Sequence, residues 1–190
     1  MPSAEYDLRY LRAGVSLLEN YLLSADLYWP VGVHPPKGEP PYPRFTLGSL
    51  LFAQKRLYAY SLNAEQQAEL ASLGEQIDSI RSHWQVAWGQ KAAVEFRSRL
   101  TLWRNYLEEY REHPEANADR YAYEVGRRVQ LQLLSQEAGE IPQAETSLLK
   151  SLDKYLQAVF RPGAFIWDEQ LKTSFPRDPY WYLYGRPGGD

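Results

Sequence analysis

Proline is spread unevenly along this chain, and that distribution limits the fold more than any other feature. Pro30, Pro35, Pro36, Pro40, Pro41 and Pro43 crowd a single short segment, WPVGVHPPKGEPPYPRF. Proline removes a backbone donor and fixes φ, and it drives the preceding residue toward extended conformations. No helix forms at that density. The segment 30–45 is expected to run as an extended, polyproline-like strap. Tyr28, Trp29, Val31, Val33, Tyr42 and Phe45 supply apolar anchors that would hold such a strap across a core. From Arg44 to His113, by contrast, there is no proline at all.

The flanking segments carry helical periodicity. Before the strap, Leu8, Leu11, Val15, Leu18, Leu22 and Ala25 recur at three- and four-residue steps and predict a helix over 4–28. Gly14 inside it weakens the helix but allows close packing. After the strap, Thr46 can cap a helix over 47–61. Asn63 followed by Gln66 has the capping-box spacing and opens the next helix. Leu70, Leu73, Ile77, Ile80 and Trp84 then form a short heptad seam. With no proline before Pro114, one very long central helix over 64–112 is expected, and Gly89 is the position where it would break. Pro114 opens a helix over 114–137, ended by Gly139. Pro142 opens the last, over 142–160, with Leu148, Leu149, Leu152, Tyr155, Leu156 and Val159 on one face. From Ala164 onward the chain is aromatic and proline-interrupted, so it is expected to lie against the bundle or a neighbouring subunit. The terminal RPGGD is expected to be disordered. Strand signals are almost absent. The expectation is therefore an all-α bundle of about five main helices forming one domain over 1–190, with a proline-rich crossover at 30–45 and an aromatic tail at 164–190.

Composition narrows the function classes. At 190 residues with 44% hydrophobic and 24% charged residues, the chain can hold a core without covalent staples. Cysteine is absent, which removes disulfides, thiolate catalysis and thiolate metal sites. The N-terminal MPSAEYDLRYLRAG has no signal-peptide apolar run, and no segment has the length of a membrane span. A cytoplasmic location without a membrane partner is expected. The net charge of −3 gives no global field for nucleic acid. Arg97, Arg104 and Arg111 repeat along one helix face, but Glu108, Glu109 and Glu112 interleave with them, the pattern of a solvated surface. Nucleic acid is not an expected partner.

Named catalytic patterns are missing. None of His34, His83 and His113 sits in a Glu-x-x-His or His-Glu-x-x-His arrangement. Phosphate-cradling glycine motifs and the Gly-x-Ser-x-Gly elbow are absent too. No metal, cofactor or catalytic residue is assigned.

One stretch does invite a site: WQVAWGQKAAVEFRSRLTLWRNY, from Trp84 to Tyr106. On a helix Trp84, Trp88, Trp103 and Tyr106 share a face, and Glu95 and Arg99 fall within that aromatic stripe four residues apart, the favoured orientation for an ion pair. Three roles fit these residues. The pair is structural, with the guanidinium stacked on aromatics and neutralised by the carboxylate. Or Arg99 and Lys91 bind an anion in an aromatic cleft around Trp84, Trp88 and Trp103, with Glu95 orienting the arginine. Or Glu95 acts as a general base. The leading expectation for the whole protein is a non-catalytic interaction or scaffold protein. It would use Trp29, Tyr180, Trp181, Tyr182 and Tyr184 to associate with itself or a protein partner. The alternative is a protein binding a small anionic molecule, or an enzyme, with its pocket at Trp88, Lys91, Glu95 and Arg99.

Overall fold

Ser3 starts the first helix: its hydroxyl accepts the Tyr6 amide at 3.1 Å, and Glu5 and Asp7 in the first turn complement the helix dipole. Helix α1 (Ala4–Leu23) buries Leu8, Leu11, Val15, Leu18 and Leu22. The computed structural model describes residues 2–188. The protein is all-α apart from a short ribbon at its end, and none of its described helices is long and apolar enough to cross a membrane. Its buried apolar residues join in one cluster.

α1 stops at Leu23, short of the expected Tyr28. Ser24 leaves the helix in an extended conformation, with its hydroxyl on the Tyr21 carbonyl at 2.9 Å. The chain then enters the proline-rich segment. Its two ends meet: the Trp29 amide donates to the Phe45 carbonyl at 3.0 Å, and the Phe45 amide donates back at 2.8 Å. Between them the segment lies along α1, fixed by Tyr6 Oη on the Pro41 carbonyl and by both carboxylate oxygens of Glu39 on Arg9, each at 2.7 Å. Gly14 permits this approach, since a β-carbon there would stand 2.6 Å from the Phe45 ring.

Thr46 caps helix α2 (Leu47–Leu57) through the Ser49 amide at 3.1 Å. Asn63 and Gln66 form the complete capping box of α3 (Ala64–His83). The single helix expected over 64–112 is instead two. Trp84 leaves helical geometry at φ −110°, ψ 34°, and α4 (Gln85–Glu112) continues beyond it. The cause is tertiary. α3 packs on α1, whereas α4 packs chiefly on α6, so the chain redirects where those partners change. Trp84 marks the corner, its indole N–H on Glu19 at 3.2 Å. Gly89 is not a break. It lies inside α4 and allows the backbone of Gly139 to come close, 3.0 Å from where a β-carbon would be.

The helix expected over 114–137 is also divided, into the single turn α5 (Pro114–Asn117), a 3-10 turn at 118–120, and α6 (Tyr121–Glu137). Asn117 is responsible. Its buried amide donates to the Glu109 and His113 carbonyls, satisfying the end of α4 and forcing the chain to turn. Helix α7 (Gln143–Val159) follows and packs on α4.

Beyond α7 the tail folds back over α6 and α2. Phe165, Phe175, Tyr180, Tyr182 and Tyr184 are buried in it. Two contacts fasten it to α6: Tyr121 Oη on the Tyr182 carbonyl and Trp167 Nε1 on the Ala122 carbonyl, both at 2.7 Å. The tail ends in order. Strand β1 (Phe160–Pro162) pairs antiparallel with β2 (Gly185–Pro187), so Arg186 and Pro187 of the expected disordered terminus are paired backbone. Gly188 donates to the Val159 carbonyl at 2.9 Å, and Gly189 and Asp190 lie outside the described residues.

Candidate functional site

Glu95 and Arg99 form an ion pair at the N-terminus of α2. Glu95 is fully buried. Its Oε1 accepts Nε and Nη2 of Arg99 at 3.1 and 3.0 Å, and its Oε2 accepts the Gly48 amide at 2.9 Å. Gly48 is the second residue of α2, so the carboxylate sits where the helix dipole favours negative charge and where a backbone donor would otherwise be unpaired. Only glycine admits it: a β-carbon at position 48 would meet Glu95 Oε1 at 2.6 Å. Arg99 Nη2 also reaches Thr46 Oγ1 at 3.2 Å and Ser49 Oγ at 3.4 Å.

Lys91 faces elsewhere. Its ammonium donates to the Ser24 and Asp26 carbonyls at 2.8 and 2.9 Å, over the face of Tyr21. It thus caps the C-terminal end of α1, and burial lowers its pKa below the ordinary lysine value. Trp88 is buried, with its N–H on Glu137 at 2.9 Å, and Trp103 is buried and stacked on Tyr106. The structure therefore brings Glu95 and Arg99 together but does not place Trp84, Trp88, Lys91 or Trp103 on a common cleft with Arg99. Of the residues expected to serve interaction, Tyr180, Tyr182 and Tyr184 are buried in the tail. Trp29 and Trp181 are half-buried.

Arg99 lines a different hollow. A cleft of about 710 Å³ opens where α1, α2, α4 and α6 meet the strap and the tail. Each helix contributes one stripe of its face: Tyr6, Asp7 and Tyr10; Ser49, Phe52 and Arg56; Arg99 and Leu102; Ala122, Tyr123, Gly126, Arg127 and Gln130. Tyr28, Tyr42 and Arg44 come from the strap, and Trp167 from the tail. A second hollow, about 770 Å³, lies by Glu112, His113, Glu115 and Arg161, but these are exposed surface residues rather than a buried constellation.

The first cleft is walled by aromatics and guanidinium groups. Asp7 is its one carboxylate, fully buried and engaged by Arg56 in a two-pronged pair at 2.6 and 2.7 Å. Burial raises the Asp7 pKa above the usual carboxylate value, and Arg56 opposes that shift. Arg127 pairs with Glu124, which Arg120 also holds at 3.0 Å. Burial lowers the Arg127 pKa, and the nearby cations Arg99 and Arg120 push it the same way against Tyr123. Gln130 is buried as a residue, and its amide makes no hydrogen bond among the described residues. Arg44 stands exposed at the rim and forms no ion pair among the described residues. Burial raises the Tyr6 phenol to about 12 and that of Tyr10 further, so both remain neutral and protonated at ordinary pH.

Asp7, Arg56, Arg127 and Gln130 were not singled out from sequence. For Asp7 a signal existed: it stands four residues before Leu11, inside the apolar stripe of α1. For Arg127 and Gln130 none did, because their role depends on which helices surround α6. The cleft is lined by no histidine, and its one carboxylate is paired with Arg56. Comparison with protein-family models, curated proteins and solved structures finds no match to this chain.

Proposed function

We propose that this protein binds a small anionic molecule, without chemical change, in the cleft between α1, α2, α4 and α6. One observation carries the reading. Arg44, Arg99 and Arg127 line a cleft otherwise walled largely by aromatic side chains, and the carboxylates that hold Arg99 and Arg127, Glu95 and Glu124, do not line it. Each buried carboxylate fixes a guanidinium from one side and leaves other N–H groups available, which suits planar, multidentate anion recognition. The remaining walls, Tyr6, Tyr42, Phe52 and Trp167, fit an apolar or flat body.

A second reading, a helical interaction protein that self-associates or holds a protein partner, draws on a different surface. Val86 and Val94 of α4 are 74% and 54% exposed, and Leu148, Leu149 and Leu152 of α7 are only half-covered. Native mass spectrometry of the purified protein separates the two. A monomer carrying a non-covalent small-molecule adduct supports the cleft; a dimer without adduct supports association. For the cleft, the Arg127→Gln variant is expected to lose the adduct while keeping its helical circular dichroism. Retention of the adduct in that variant would remove the reading.

A further inference from the structure

The guanidinium edges and the unpartnered amide on this cleft go beyond the general reading of an anion site. Arg99 uses Nε and Nη2 for Glu95, Thr46 and Ser49, while its Nη1 makes no hydrogen bond among the described residues. Arg127 uses Nη1 for Glu124, leaving Nε and Nη2. Gln130, one turn beyond Gly126 on α6, adds an amide on the cleft wall that makes no hydrogen bond among the described residues.

We infer that the anionic group taken by this cleft is a phosphoryl monoester, seated between Arg99, Arg127 and Gln130, with the flat ring of the ester lying toward Phe52 and Trp167. This rests on the reading of the cleft as an anion site. The number of donors favours phosphoryl over carboxylate. The free N–H groups of Arg99 and Arg127 with the Gln130 amide exceed the about four lone-pair sites of a carboxylate, and Arg44 stands at the rim to add more. Three terminal oxygens use such a set more fully. Charge points the same way. Arg99 and Arg127 are close enough to act on each other as like charges, and a dianion relieves that repulsion better than a monoanion. The ring position follows from shape. The α6 wall of the cleft includes the small residues Ala122 and Gly126; Trp167 donates to the Ala122 carbonyl, and a β-carbon added at Gly126 would meet only the Phe52 ring, at 3.6 Å. These small residues leave room for a ring beside Phe52 and Trp167, whose ring centroids stand 5.6 Å apart.

Isothermal titration of the full chain with phenyl phosphate, benzoate and inorganic phosphate tests this. Phenyl phosphate is expected to bind at least about tenfold more tightly than either of the others. Arg127→Gln is expected to weaken it about 10- to 100-fold, the loss of charged hydrogen bonds. The variant keeps Glu124 paired with Arg120, so its circular dichroism and melting should be unchanged. Should it fail to fold, Gln130→Leu, which removes no charge, is expected to weaken phenyl phosphate severalfold. Benzoate binding as tightly as phenyl phosphate would overturn the phosphoryl assignment and leave the anion cleft standing. Inorganic phosphate binding as tightly would overturn the ring position. Unchanged affinity in both variants would overturn the placement. Binding to phosphatidic-acid vesicles with no heat from phenyl phosphate would assign the phosphate to a lipid and overturn the soluble ester. No binding of any of these probes would remove the anion cleft itself.

Discussion

Replacing Arg99 by methionine tests whether the Glu95–Arg99 pair serves the fold. Methionine keeps an apolar stem against the neighbouring side chains and removes only the guanidinium. Glu95 then remains fully buried with one protein donor, the Gly48 amide at 2.9 Å. Breaking a buried pair by deleting one partner costs about 3–5 kcal/mol, because a charge is left without compensation. Two features reduce that here. The carboxylate still faces the N-terminus of α2, an interaction of about 0.3–1 kcal/mol, and up to about 2 kcal/mol where buried. The Arg99 side chain is 13% exposed, so water can partly take its place. The expected loss is about 2–4 kcal/mol. For a chain of this length each kcal/mol moves the melting point by about 2–4 °C, so Tm should fall by roughly 5–15 °C, with a matching change in the urea midpoint. Arg97→Met on the same helix is the internal reference: its side chain is 67% exposed, and loss of its pair with Glu145 should cost at most about 1 kcal/mol. Adding Glu95→Gln to Arg99→Met should recover part of the loss, since the uncompensated charge disappears. A loss below about 0.5 kcal/mol for Arg99→Met, or strict additivity in the double variant, would refute the structural role of the pair.

Two further outcomes follow from the geometry. Gly48→Ala should destabilise by about 1–3 kcal/mol by urea unfolding, although alanine is ordinarily the better helix former, because its β-carbon would sit 2.6 Å from Glu95 Oε1; a stabilised Gly48→Ala protein would contradict the placement of Glu95. Burial raises the phenols of Tyr6, Tyr60 and Tyr180 to about 12. Above pH 10 the unfolded chain loses these protons while the folded chain keeps them, so stability must fall as pH rises from 10 toward 12. Absorbance at 295 nm should show these phenols ionising together with the loss of helical circular dichroism, and complete tyrosine titration below pH 11 with the helices intact would exclude it.

What was legible in the sequence is what depends on neighbours along the chain. The capping box of Asn63 and Gln66, the cap at Thr46, the helical face of α7 and the four-residue spacing of Glu95 and Arg99 all lie within a few residues of their partners, and the structure shows each of them. What was not legible depends on distant packing. Trp84 carries no local breaking signal; α4 turns there because its partner is α6. The Asp7–Arg56 pair joins residues 49 positions apart. Lys91 looked like half of an anion site because it shares a helix with Arg99, but the carbonyls it serves are at Ser24 and Asp26, just past the C-terminus of α1. The aromatic tail, expected to lie against the bundle or a neighbouring subunit, packs on the bundle; periodicity alone does not say which groove Phe175 and Tyr182 enter.

The energetics of the buried pairs bear on why arginines stand at the cleft at all. A buried ion pair is weak support for stability, and well-packed apolar side chains of similar volume often serve a fold as well or better. Arg128 and Asp153 illustrate the structural use: their two-pronged pair at 2.8 Å lies against the Tyr182 ring, fastens the tail to α6 and α7, and lines neither of the two hollows described above. Arg56, Arg99 and Arg127 differ, because each is gripped by a carboxylate and each also reaches the same hollow. Apolar side chains at both positions of each pair, 7 with 56 and 95 with 99, would satisfy packing with no buried charge. An anion site, however, gains from guanidinium groups whose rotamers are already fixed, since ordering a free arginine on binding costs about 0.5–1.5 kcal/mol per side chain. On this reading Glu95 stabilises no substrate and moves no proton. It holds Arg99 in place from the interior, and the helix end at Gly48 holds Glu95.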